Sequence, residues 1–339
     1  MTDMGIGLDL PTLLIAVIAF GIFVYGTLNG FELGVGLLFP FFRGDCDRQL
    51  MMNTLAPIWG GNETWLVLCG AALFAAFPVA YATLLPAGYL PLVLMLCGLI
   101  FRGVAFKLRA KFNRTRFLCD AAFCGGSALA TLAQGMVLGI LLQGTPAIEQ
   151  HYAGDDWDWL SPFSLFCGIG LLVAYAALGC AWLIMKTRGP LQQGMFIAMR
   201  LLTPALLAMI GIVSLWTVIG QAEVRARWLD PHNLPYFLLM PLLVLGCVIG
   251  ILRAVERRRE CAPFLFAMSL MLLAYSGLII SIFPNIVSPD VGLWNAPSAH
   301  CSQVLALIKT AIILPFVVAY TALNYWVFLG KDRHDDRRR

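Results

Sequence analysis

Charge is what this sequence has least of: Asp, Glu, Lys and Arg together make up 12% of its 339 residues, against 60% hydrophobic residues. Soluble domains carry about 25% charged residues, so this chain lacks the polar groups needed to cover a water-facing surface. The same deficit excludes a disordered chain, which depends on high charge and low hydrophobicity. Lys and Arg exceed Asp and Glu by only four, 23 against 19, too few to indicate nucleic acid as a partner. Histidine is scarce as well, with four copies, and none lies deep in an apolar run. A haem ligated by this chain alone is therefore not expected, because a bundle-held haem needs such a ligand. The ten cysteines include no CxxC pair; most sit in apolar runs and read as small hydrophobes rather than as metal ligands or disulfide partners. A Walker loop, a dinucleotide-binding fingerprint, a Ser-His-Asp set and a zinc signature are also missing.

What is abundant is apolar length, with a mean hydropathy of +0.82. A membrane-crossing helix needs about 20 apolar residues. On that rule the chain reads as an all-α polytopic membrane protein of about nine transmembrane helices, at 11–40, 50–76, 79–102, 117–142, 160–186, 197–221, 234–253, 262–284 and 303–329. The first is over-long and so must tilt, kink or emerge early. Residues 1–10 contain no basic residue, which argues against a cleaved signal peptide. Of the 23 basic residues, 20 fall on alternate connections. The positive-inside rule then places the N-terminus outside and the C-terminus in the cytoplasm. The external connection at 143–159 is acidic. No connection is long enough for a soluble domain, so residues 1–339 read as one membrane domain ending in a short basic cytoplasmic tail at 331–339.

Ionisable groups inside a span cost a few kcal/mol on insertion scales, so each is a functional candidate (about 2.5–3.5 kcal/mol at mid-helix). The candidates are Glu32, Glu63 and Lys309, with Arg102 and Asp120 near the cytoplasmic boundary. Glu32 lies within a glycine ridge, Gly26, Gly30 and Gly34, whose spacing of four lets another helix approach closely. With Asn29 it forms a polar stripe, read either as a packing seam with a carboxyl paired to Arg102 or as a protonation route. Glu63 and Thr64 lie in the segment at 57–65, where Pro57 and Gly60-Gly61 loosen the helix. Read as one continuous span, the chain places Glu63 about 20 Å from its cytoplasmic start, deep enough for a proton-exchanging carboxyl. Lys309 either snorkels outward or pairs with an acid, and Arg102, Asp120 and Lys309 are the candidate charge partners. Trp59, Trp65, Trp294, Tyr325 and Trp326 read as interface anchors or ring-stacking surfaces, with anchoring the default.

At these residues the sequence resembles subunit II of cytochrome bd-type quinol oxidases, the cyanide-insensitive branch in particular. The resemblance is carried by NGFELGVG at 29–36, APIWGGNETWLV at 56–67, ALFAAFPVAYATLLPAGYLP at 72–91, LIFRGVAFKLRAK at 99–111, LLQG at 141–144, SIFPNIVSP at 281–289 and AYTALNYWVFLGK at 319–331. It implies a multi-pass protein of a bacterial cytoplasmic (inner) membrane, not catalytic alone. Its partner, a haem-bearing subunit I, would hold two b haems, a d-type haem or a third b haem, and the quinol site. This chain would stabilise that partner, in some cases hold a structural quinone beside membrane lipid, and contribute to proton supply from the cytoplasm. A small single-helix accessory subunit is a further implied partner. The sequence departs from the family pattern at Asn29, Gly60, Lys107 and Asn295, where the relatives carry acids. Two other readings stay open: a proton-coupled secondary transporter using Glu32 and Glu63, and an assembly subunit with no proton role.

Overall fold

The computed structural model describes residues 9–42, 44–58, 60–109, 116–144, 147–148, 151–155, 157–228, 234–287, 291–294 and 296–327. The Trp59 anchor, Asn295 and the basic tail at 331–339 lie outside the described residues. The chain opens with α1 (Leu10–Leu38), started by a proline in its first turn and continued by one 3₁₀ turn at Phe39–Phe41. At about 1.5 Å per residue its 29 residues span about 43 Å, longer than a roughly 30 Å hydrocarbon core, as the sequence requires.

The expected second span at 50–76 is not one helix. It is α2 (Asp45–Leu55) and α3 (Glu63–Ala76), parted by a turn in which Gly60 takes φ +91. Pro57 lacks an N–H for the helix ladder, and Gly60 occupies a backbone region that other residues enter at a cost. The expected 79–102 span is likewise divided, into α4 (Pro78–Ala87) and α5 (Tyr89–Arg109), with Pro86 and Gly88 at the break. There follow α6 (Arg116–Gln143), α7 (Pro162–Lys186), α8 (Pro190–Gly220), the short α9 (Ala222–Trp228), α10 (Leu234–Glu256), α11 (Ala262–Ile282) and α12 (His300–Val327). Among the described residues eight helices are long and apolar enough to cross a membrane. The remaining expected span has no single long apolar helix: of the pieces around it, Glu63–Ala76 and Pro78–Ala87 are apolar but short.

Helix α7 is the centre of the bundle. Of its most apolar stretch 72% is buried, against 17% for α11 and α12, which lie at the periphery. Ser161 caps α7, its Oγ accepting from the Ser164 N–H at 3.0 Å. Around α7 stand α1, α6 and α8, with α5 beyond α6 and α10 packed on α11. Small residues set these distances. A Cβ on Gly34 would overlap the Tyr175 carbonyl of α7, and one on Gly179 would overlap Gly34. Gly26 and Gly30 lie against the Tyr175 ring, so the glycine ridge of α1 rests along α7. Gly98 and Gly126 join α5 to α6 in the same way, each within 2.7 Å of the other helix's backbone once given a Cβ.

One end of the bundle carries two small antiparallel ladders, β1 (Ala147–Ile148) with β2 (His151–Tyr152), and β3 (Asn285–Val287) with β4 (Val291–Gly292). Helix α4 packs on both β2 and β3. Trp294 Nε1 donates to Asp9 Oδ2 at 2.7 Å, and Ser298 N donates to the Ala76 carbonyl at 2.9 Å. This is the end that the charge pattern assigns to the outside.

The close approach of α1 and α7 predicts a contrast between two glycines. Gly34→Ala forces backbone apart and should cost about 1–3 kcal/mol of stability. Gly70→Ala, where nothing lies within 4 Å, should be neutral or stabilising by up to about 1 kcal/mol from helix propensity. Thermal unfolding of the purified variants in detergent checks both; equal melting temperatures would refute the packing account.

Candidate functional site

The polar residues of the first span converge on one buried cluster. Arg102 Nη2 of α5 donates to Glu32 Oε2 of α1 at 2.8 Å, and both side chains are 1% exposed. Asn62, the last residue before α3, donates through Nδ2 to the other carboxylate oxygen, Glu32 Oε1, at 2.6 Å. The same amide lies 3.2 Å from the Tyr325 hydroxyl of α12. Arg102 Nη1 reaches Asn29 Oδ1 at 3.4 Å. Asn29 Nδ2 and Gln134 Nε2 of α6 each donate to the Tyr25 hydroxyl at 2.9 Å. The chain of contacts thus runs from α12 through the α2–α3 turn, α1 and α5 to α6.

The local sequence explains this arrangement. Tyr25, Asn29 and Glu32 are spaced by four and three, which stacks them on one face of α1. The turn at 56–62 releases Asn62 from regular helix, so its amide enters the bundle beside Glu32. A ring cluster closes one side: Phe31 stacks on Trp182 with centroids 4.3 Å apart, and Tyr325 meets both edge-on at 6.3 Å. A buried charge is tolerable only when paired and hydrogen-bonded, and Glu32 has a partner on each oxygen.

Glu63 stands apart from that pair. It is the first residue of α3, half-buried, and lines an open cleft of about 410 Å³ between α3 and α5. Leu66, Val67, Leu96 and Ile100 form the cleft walls, and Lys107, in the last turn of α5, lies at its far end. The sequence reading that set Glu63 well along an unbroken helix is therefore corrected: the chain turns just before it. Thr64 is exposed and outside the hydrogen-bonded cluster.

The other charge partners sort differently from expectation. Asp120 accepts from Arg109 Nε at 2.6 Å and from Arg48 Nη1 at 2.8 Å. Arg109 also donates to Gln49 Oε1 at 2.8 Å, so α2, α5 and α6 are tied at the end read as cytoplasmic. Arg48 and Arg109 both lie over the Phe39 ring, at 5.2 and 5.6 Å. Lys309 joins neither cluster: it is exposed on α12 and forms no ion pair among the described residues. Trp65 is not an interface anchor but a buried ring, 1% exposed, donating to Thr321 Oγ1 at 3.2 Å. Tyr325 is likewise a member of the inner ring cluster, whereas Trp294 and Trp326 are exposed. Asn62, Tyr25, Gln134 and Arg109 are cluster members that sequence reasoning did not single out. Their signal was position: a helical register shared with Glu32 for Tyr25, and adjacency to Glu63 for Asn62.

Comparison with known proteins was made against this geometry. The family model described as cytochrome bd terminal oxidase subunit II matches residues 10–328. Cytochrome bd-I ubiquinol oxidase subunit 2 of Escherichia coli (strain K12) is 28% identical, the match covering 96% of this chain and 95% of that protein. Cytochrome bd ubiquinol oxidase subunit 2 of Bacillus subtilis (strain 168) is 29% identical, covering 97% of each. The solved bd oxidase from Geobacillus thermodenitrificans shares the fold, with a TM-score of 0.76 at 16% identity over 94% of this chain and 98% of that one.

Removing one partner of a buried ion pair leaves a bare charge, at a cost of about 3–5 kcal/mol. Arg102→Met should therefore lower the melting temperature steeply, whereas Arg102→Met combined with Glu32→Leu should recover much of the loss. A double variant no more stable than the single one would show that the two groups do not stabilise each other.

Proposed function

The chain belongs to the cytochrome bd terminal oxidase subunit II family, and we propose that it supports the haem-bearing subunit I of a quinol oxidase while feeding protons from the cytoplasmic side through Glu63. The haems of such a complex carry electrons and bind oxygen, and subunit I holds them. This chain's own residues divide into a fixed group and a titratable one. The fixed group is Glu32 with Arg102. A guanidinium cannot deprotonate in a protein, and at 2.8 Å it fixes the position of the Glu32 carboxyl. Glu32 is thereby a clamp for α1, α5 and the α2–α3 turn rather than a proton carrier.

The observation that carries the proton reading is the placement of Glu63. It opens α3 beside a cleft that extends toward Lys107 in the last turn of α5. Asn62, its neighbour in sequence, donates to Glu32. A carboxyl that lies in a cleft beside a fixed polar network, with no guanidinium bonded to it among the described residues, is suited to take up and release a proton. The family resemblance implies an acid at the position of Gly60, three residues earlier. Here Glu63 takes over that function from the other side of the turn. We further propose that the N-terminus lies outside and the C-terminus in a bacterial inner membrane's cytoplasmic compartment, as the distribution of Lys and Arg requires. A structural quinone and a small accessory subunit are compatible members of the same assembly.

The reading is tested by Glu63→Gln in the assembled oxidase. Oxygen consumption with quinol should fall by about ten-fold or more, with haem content and visible absorbance unchanged. Unchanged turnover would defeat the proton role and leave the chain as an assembly subunit. Glu32→Gln should do the opposite, lowering the yield of haem-loaded complex while the turnover of the surviving enzyme stays close to normal.

A further inference from the structure

A second cleft, of about 570 Å³, lies between α10 and α11 at the end opposite the β ladders. We propose that it holds one anionic diacyl phospholipid, with the phosphate on Arg253, Arg257 and Arg259 and an acyl chain along the groove below. Residues 246, 249, 250, 253 and 257 recur at intervals of three and four, so they form one stripe of α10. Its inner part is apolar and shallow in side chains. Nothing lies within 4 Å of where a Cβ on Gly246 would stand, and Phe266 of α11 closes over Gly250. Its outer part is cationic, with Arg253, Arg257 and Arg259 all exposed and all lining the cleft.

Glu256, exposed on the same turn of α10, forms no ion pair with these arginines among the described residues. No acidic side chain lines the cleft. Glu260 accepts from Gln192 Nε2 at 3.2 Å, on the side facing α8. Arg258 takes no part, its guanidinium lying over the Phe196 ring at 5.1 Å. None of the three arginines forms an ion pair among the described residues. From Gly246 to Arg253, where the arginines begin, the apolar part runs about 10 Å, which lies within one hydrocarbon leaflet of about 15 Å. An amphiphile with a negative head and an acyl chain matches both halves of the groove; inorganic phosphate matches only one. The adjoining face of α10 is apolar and exposed through Leu238, Leu242, Leu245 and Ile249, so the groove opens onto the surface that meets lipid.

The test is native mass spectrometry of the full-length chain, with whatever subunits copurify, in neutral detergent. Phosphatidylglycerol, phosphatidylcholine and inorganic phosphate are titrated in separate arms. The expected result is one retained phosphatidylglycerol, with affinity falling about five-fold for each arginine lost in R253Q and R253Q/R257Q. Gly246→Leu, which fills the groove and keeps the arginines, should also release the lipid. Melting curves of each variant confirm that it is folded. Equal retention of phosphatidylcholine, retention unchanged in R253Q/R257Q or in Gly246→Leu, or displacement by inorganic phosphate at equal concentration overturns the proposal.

Discussion

The ion pair between Glu32 and Arg102 is the constraint around which the remainder of the bundle is arranged. A carboxylate and a guanidinium that are both 1% exposed can coexist with an apolar surrounding only if their hydrogen-bonding capacity is met locally. Both Glu32 oxygens and both terminal Arg102 nitrogens are met this way, through Asn62, Asn29 and, one contact further, Tyr25 and Gln134, while Arg102 Nε has no partner among the described residues. These come from α1, α6 and the α2–α3 turn. The cost of burying the charges thereby becomes a requirement on the relative placement of several helices. A purely apolar interface would permit them to slide; a paired and hydrogen-bonded one does not.

Helix packing supplies the proximity that this pair needs. In a bilayer, helices gain little from burying apolar surface against each other, so close approach and van der Waals contact carry more of the association. The α1–α7 contact at Gly34 and Gly179 and the α5–α6 contact at Gly98 and Gly126 bring backbones nearly into touch. Helix α1 is held on one side by glycine contacts with α7 and on the other by the charge contact to α5. At the opposite face α11 and α12 remain largely uncovered, and they present Phe316, Leu265 and Trp326 outward. That exposure is what a multi-pass chain surrounded by lipid and by a partner subunit displays.

Much of this was legible in the sequence, and the reasons are physical. Apolar length marked the long helices because 1.5 Å per residue leaves few ways to cross a bilayer. The spacing of Gly26, Gly30 and Gly34 marked a contact face, and the rarity of charge inside spans marked Glu32 and Arg102. What could not be read was which charge meets which, because that depends on tertiary neighbours at large sequence separation. Asp120 pairs with Arg48, 72 residues away, and Asn62 meets Tyr325 across 263. The α2–α3 break was visible only as Pro57 and two glycines, features that many unbroken membrane helices tolerate. Trp65 was misplaced because aromatic rings near helix ends are common anchors, and only its contact with Thr321 shows it facing inward.

Asn29 carries a consequence of another kind. It offers Arg102 a neutral amide oxygen where the family resemblance implies an acid, so the buried cluster pairs one acidic side chain with one basic one. A neutral cluster feels no net force from a transmembrane voltage, whereas each uncompensated charge moved across 100 mV is worth about 2.3 kcal/mol. A compensated pair at the joint between α1 and α5 adds no net charge for a transmembrane voltage to move.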